Sequence, residues 1–180
     1  MERLSPVSPP YSAEVTASFA KLTLPGMEFL QLFRVLAHNP RLLQRIQRGG
    51  LLDPGSISIR LRELAILRTC ALCGAEYEWG VHVAIFAGAA SLSADDVSST
   101  WRTGSSDARW GDAERLVLRL CEELHATQGL SDASWAELST HFTSAQLLEL
   151  TALAGMYHMI SFVVNAGGVQ LETWAPRAPA

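Results

Sequence analysis

Apolar residues recur at three- and four-residue spacing along almost the whole chain, and no segment sustains the apolar/polar alternation of a half-buried strand. A chain patterned this way hides its apolar side chains only as helices packed on one another, so an all-α domain of about eight or nine helices is expected. Local punctuation sets the divisions. Ser12 caps a first helix running to Leu22, Pro25-Gly26 breaks the chain before a second ending at His38, and Asn39-Pro40 opens a third that stops at Gly49-Gly50. A turn-rich connector over 51–58 precedes a strong helix over 59–73, with Gly74 as the residue just past its end. Further helices are predicted over 77–89, 93–101, 112–128, 132–142 and 144–165, with an exposed loop at Gly104-Ser105-Ser106.

With 180 residues, 48% of them hydrophobic, the chain can build one sizeable core and is short for two. Residues 1–10, rich in proline, read as N-terminal coil, 11–172 as the helical domain and 173–180 as a coil tail. The net charge of −4 leaves no electrostatic footprint for a phosphate backbone, and Arg41, Arg45 and Arg48 read as one solvated helix face, so no nucleic-acid partner is expected. The start of the chain lacks the pattern of a secretory signal, and its three cysteines have no secreted spacing, which points to the cytoplasm. Residues 147–166 are apolar and long enough to cross a bilayer core of roughly 30 Å. Glu149, His158, Ser161 and Asn165 interrupt that run and no basic flank follows, so a buried core helix is expected and no membrane partner.

Glu63, Glu78 and His82 stand out because they are ionisable groups in otherwise apolar helical sequence, where an unpaired charge is strongly unfavourable. Glu78 and His82 are four apart and share a helix face, and Glu78 lies in a first turn where the helix dipole favours an anion. If the helices before and after Gly74 pack antiparallel, Glu63 approaches His82 from the other side. An imidazole between two carboxylates has its tautomer fixed and its pKa raised. The same three residues show no H-E-x-x-H or comparable spacing, so no metal is assigned to them. Cys70-Ala71-Leu72-Cys73 forms a C-x-x-C, but near the C-terminal end of a helix, where the dipole does not lower a thiol pKa. Two small core residues are the simpler reading of that pair. His38, His125 and His141 carry no motif, and Cys121 reads as buried filler.

The run Arg62-Glu63-Leu64-Ala65-Ile66-Leu67-Arg68 followed by Cys73-Gly74-Ala75-Glu76-Tyr77-Glu78-Trp79-Gly80-Val81-His82 resembles the core of the carboxymuconolactone decarboxylase and alkylhydroperoxidase D-like family. Phe33 to Pro40 upstream, and Tyr157-His158 through Val164-Asn165-Ala166 downstream, are similar to that family's flanks, so the likeness spans roughly residues 10 to 176. The resemblance implies a helical bundle that assembles as a homo-oligomer, a trimer or hexamer. In the family's peroxide-reducing branch a glutamate precedes a C-x-x-C pair and a histidine follows the second cysteine by four positions. The glutamate matches Glu63 and the histidine His82, whereas the cysteine positions fall on Ala75 and Glu78, so the resemblance implies a site without the redox thiols.

Three functions follow as expectations. The first is a cofactor-free acid–base enzyme, decarboxylase-like, acting on a small organic acid or lactone through His82, Glu78 and Glu63, with Tyr77, Trp79, Arg68 and His158 around the substrate. The second is a peroxidase of the antioxidant kind carried by Cys70 and Cys73. The third is a non-catalytic oligomer that binds a small ligand at the polar cluster.

Overall fold

A computed structural model describes residues 2–22 and 28–179. Among these residues the regular structure is nine α-helices and one 3₁₀ turn, with no strand: α1 Ala13–Leu22, α2 Gln31–Leu36, α3 Pro40–Gly49, α4 Ile59–Leu72, α5 Glu76–Phe86, α6 Ala94–Arg102, the turn Gly104–Ser106, α7 Asp112–Thr127, α8 Asp132–His141 and α9 Ser144–Gly167. The all-helical expectation is met. The Pro25-Gly26 break lies outside the described residues.

Side-chain caps set most of the helix starts. Asn39 Oδ1 accepts from Leu42 N at 3.1 Å with Pro40 at the first helical position, Ser58 Oγ accepts from Leu61 N at 3.3 Å, and Ser93 with Asp96 and Thr143 with Gln146 close reciprocal capping boxes. At the end of α4, Gly74 takes φ +61°, its N–H reaches Ala71 O at 3.0 Å and Ala75 N–H reaches Cys70 O at 2.8 Å, so two orphan carbonyls are satisfied and the chain reverses. Gly168 does the same after α9, with φ +62°.

Two expectations need correction. The second helix ends at Leu36 instead of His38, because Asn39 must leave helical geometry (φ −131°, ψ 88°) to cap α3 and the following proline disfavours the helical conformation before it. The segment Gly104–Ser106 is not an exposed loop: Gly104 is buried at φ +56°, its carbonyl accepts from Trp110 Nε1 at 2.8 Å, and Ser105 N donates to Glu122 Oε1 at 3.0 Å.

The centre of the fold is α4, which packs against α5, α6, α7 and α9 and buries residues on every side: Arg62 to Leu67, Thr69 and Cys70. A helix sheathed all round explains why its sequence carries no polar face. Among the described residues α9 is the one helix long and apolar enough to cross a membrane by length and composition. In this fold it lies against α4, α5, α7 and α8, burying Leu147, Leu150, Leu153, Tyr157 and Ile160 while Leu148 (68%) and Phe162 (64%) stay exposed. The coil after α9 returns over α5 so closely that a Cβ on Gly80 would lie 2.5 Å from Pro176 O.

Gly74 offers a clean test of the reversal, since a Cβ there meets nothing within 4 Å and only the backbone is strained. Gly74→Ala should destabilise the protein by about 1–2 kcal/mol. Gly88→Ala, in equally open space and without a positive φ, should be neutral or stabilising by up to about 1 kcal/mol. Urea unfolding midpoints decide; equal midpoints would refute the strained reversal.

Candidate active site

Because α4 is covered on all sides, Glu63 in its second turn is completely buried, and its carboxylate must find partners inside the protein. Oε1 accepts from Arg62 Nε at 2.9 Å and pairs with Nη2 at 2.8 Å, while Arg62 Nη1 donates to Leu52 O at 2.7 Å and ties the network to the connector before α4. The reversal at Gly74 brings α5 back along α4. His82 Nδ1 then donates to Glu63 Oε2 at 2.8 Å, both groups being buried.

The other ring nitrogen faces a second set of groups. His82 Nε2 lies 2.9 Å from the Tyr157 hydroxyl on α9 and 3.5 Å from Glu78 Oε1, one turn earlier on α5. The Tyr157 ring meets the imidazole edge-on and Phe86 packs on it at a tilt, with centroids 5.0 and 5.1 Å away, so the ring has one orientation. The imidazole therefore sits between two carboxylates, as the spacing suggested. Burial alone would lower its pKa, but the hydrogen bonds and charges of Glu63 and Glu78 outweigh that and hold it at about 9. At neutral pH His82 is an imidazolium. Burial, reinforced by the charge of Glu78, pushes the Tyr157 phenol well above its ordinary value, so it stays protonated.

His82, Glu78 and Tyr157 share the wall of a cavity of about 500 Å³, within the roughly 300–1,000 Å³ usual for small-molecule sites. Phe33, Ile46 and Ile160 supply apolar wall, and Lys21, Arg48 and Asp53 add charge. Glu78 Oε2 is buried and has no hydrogen-bond partner among the described residues. A buried carboxylate oxygen left open beside a cavity is an acceptor waiting for a ligand or a proton.

The four residues expected around the substrate do not line this cavity. Tyr77 and Trp79 flank Glu78 in sequence and so point about 100° away on either side of it. Tyr77 donates to Glu172 Oε1 at 2.8 Å and accepts from Leu32 N at 3.0 Å, fastening the C-terminal segment to α2; Trp79 Nε1 donates to Thr100 Oγ1 at 3.1 Å and fastens α5 to α6. Arg68 pairs with Glu122 at 2.8 Å and donates to Thr100 O, on the opposite flank of α4. His158 turns towards His125, 3.0 Å away. Cys70 and Cys73 are free thiols; the first is fully buried, and burial with the charge of Glu78 pushes its pKa well up. Sequence reasoning missed Tyr157, a polar-tipped aromatic in an apolar run; Arg48 is exposed, as its place on a solvated helix face implied, and also borders the cavity.

The sequence profile of the carboxymuconolactone decarboxylase family matches residues 40–131, just over half of the chain, and the protein belongs to that family. No curated protein sequence gives a match. Among solved structures, the fold is similar to an uncharacterized peroxidase-related protein of Ralstonia eutropha with an alkylhydroperoxidase AhpD core (16% identity, TM-score 0.81, 96% of this chain and 95% of that one). An uncharacterized peroxidase-related protein of Silicibacter sp. TM1040 is likewise similar (14%, TM-score 0.83, 96% and 94%). So is the debrominase Bmp8, solved with 2,3,4-tribromopyrrole (15%, TM-score 0.74, 95% and 92%). At these identities the likeness is one of fold.

The His82 network makes stability depend on pH with a defined sign. The imidazole titrates near 6.5 when free and at about 9 when folded, so its contribution is complete below about pH 6.5 and is lost as the pH rises through 9. Denaturation midpoints of the wild type should fall across that window and those of His82→Gln should not. A His82 ring titration by NMR below pH 7 would contradict the network.

Proposed function

We propose that the protein is a cofactor-free acid–base enzyme acting on a small organic acid or lactone, decarboxylating or isomerising it. The observation that carries this reading is the pairing, on one cavity wall, of an imidazolium N–H and a carboxylate with one oxygen that has no hydrogen-bond partner among the described residues. A donor and an acceptor a few ångströms apart, held by groups that cannot reorient, are the elements of proton transfer to and from carbon.

In the decarboxylation, the substrate carboxylate lies towards Arg48 and Lys21, the cations of the cavity, and its C–C bond breaks as CO₂ leaves. The electron pair stays on the substrate and spreads into a conjugated carbonyl or lactone. His82 gives its Nε2 proton to that carbon, and Glu63, still bonded to Nδ1, holds the ring in place as its charge is lost. Glu78 stabilises the imidazolium beforehand, and a proton taken up from solvent restores Nε2 afterwards, completing the one proton consumed per CO₂ released. In an isomerisation the same Glu78 oxygen takes a proton from one carbon while His82 delivers one to another.

Similarity of fold to proteins described as peroxidase-related supports a second reading, peroxide reduction by Cys70 and Cys73. A fully buried thiol with a raised pKa is poorly suited to it, because the thiolate is the nucleophile.

Exposed Leu148, Met159 and Phe162 on α9 support assembly with further copies of this chain.

With a panel of unsaturated lactone carboxylates and CO₂ release as the readout, His82→Gln and Glu78→Gln should each lose about 100-fold or more in kcat while remaining folded. Wild-type rates in His82→Gln would end the acid–base reading; binding without turnover in the wild type would favour a ligand-binding protein. Peroxide consumption should sit at background in both the wild type and Cys70→Ala, and a rate abolished by that substitution would favour the thiol reading. Phe162→Asp should shift the sedimentation coefficient to a smaller species, and an unchanged value would place self-assembly elsewhere.

A further inference from the structure

Outside the cavity, three potential metal ligands converge from three helices. Cys73 is the last residue of the α4 turn, His125 lies in the last turn of α7, and His158 lies in the middle of α9. Their ligand atoms all fall within 4.8 Å of one another, with His125 Nδ1 3.0 Å from His158 Nε2 and 4.0 Å from Cys73 Sγ. Zinc bond lengths of about 2.0–2.1 Å to nitrogen and about 2.3 Å to sulfur imply tetrahedral edges of about 3.4 Å between nitrogens and about 3.6 Å between nitrogen and sulfur. The two His125 spacings lie on either side of those edges by about 0.4 Å, and the third, between Cys73 and His158, is within 4.8 Å, so side-chain adjustments of up to about an ångström complete the triangle.

The surroundings hold the three groups ready. His158 Nδ1 donates to Ala154 O at 2.9 Å, which leaves the Nε2 lone pair aimed at the cluster, the usual orientation device of a metal-bound histidine. Asn165 Nδ2 donates to Cys73 O at 2.8 Å and pins the end of α4 to α9. All three residues are half-buried, so the triangle has a protein side and a solvent side. The cluster shares no residue with the His82 site, and Arg68 nearby is engaged with Glu122.

We propose that Cys73, His125 and His158 form a binding site for a zinc-class divalent ion, with a fourth coordination position open to solvent. One sulfur and two imidazoles suit a borderline-soft ion and do not suit Mg²⁺ or Ca²⁺, which take oxygen ligands. Three protein ligands with an open position is the arrangement of sites that bind water or an exogenous ligand on the metal. Binding expels the Cys73 thiol proton to solvent and leaves His125 protonated on Nε2, so the hydrogen bond between the two imidazoles is replaced by two metal–nitrogen bonds.

Chelator-treated, reduced full-length protein titrated with Co²⁺ should bind one ion per chain, with the d–d bands of tetrahedral cobalt and a thiolate-to-cobalt charge-transfer band, all bleached by Zn²⁺. Cys73→Ser should lose the charge-transfer band, and both it and His158→Gln should weaken binding about 100-fold or more while keeping the wild-type circular dichroism. As a readout on the unaltered chain, Zn²⁺ should protect Cys73 from alkylation, the other two cysteines being buried. Equal binding by the wild type and Cys73→Ser, octahedral cobalt bands, or alkylation of Cys73 at the same rate with and without Zn²⁺ would each overturn the proposal.

Discussion

The chain Arg62–Glu63–His82 is the interaction on which the rest of the interior depends. A carboxylate at the heart of a helix bundle is tolerated only with its lone pairs occupied and its charge balanced, and here Arg62 occupies one oxygen and His82 the other. With Glu78 beside the far ring nitrogen, two anions face two cations and the buried group is neutral overall. Neutrality requires the imidazole to be protonated, which is why its pKa rises despite burial. The requirement that stabilises the fold therefore also loads an acidic proton at the cavity wall.

That arrangement gives the two flanks of α4 different tasks. Towards the cavity it presents Glu63 and, through the Gly74 reversal, places Glu78 and His82. On the opposite flank, Arg68 meets Glu122 and the buried Gly104 turn, a polar clasp that holds α6 and α7 in place. At its C-terminal end Cys73 meets His125 and His158. A single residue step along α9 separates the two clusters: Tyr157 and His158 are neighbours in sequence, yet a rotation of 100° per residue sends the phenol to His82 and the imidazole to His125.

Local signals were legible in the sequence and long-range ones were not. Helix class followed from periodicity, and Gly74, Ser93 and Asn39 announced their boundaries because caps act within four residues. Glu78 and His82 were readable as a pair from their spacing, and Glu63 because the Gly74 reversal leaves a two-helix hairpin few other ways to pack. Tyr157 is 75 residues from the histidine it touches, and nothing local distinguishes it from the adjacent His158, whose chemistry attracts attention first. Arg68 was placed at the substrate for a similar reason: its charge is visible in sequence, whereas the acid that neutralises it, Glu122, arrives from another helix. The Gly104 turn reads as loop composition, but its burial is imposed by Trp110 and Glu122.

The electrostatics of the cavity also bear on the choice between moving protons and moving electrons. Reducing a peroxide requires a thiolate, and a thiolate requires a positive field or solvent. Burial raises the Cys70 pKa first, and the charge of Glu78 raises it further. That same carboxylate helps to raise the pKa of His82. For the imidazole the shift retains a cation, the form that donates a proton; for the thiol it retains the neutral form, which is unreactive. One anion in one position thus keeps the imidazole charged and helps to keep the thiol neutral at neighbouring residues, and removing it would leave the imidazole less fully protonated while burial still held the Cys70 thiol neutral.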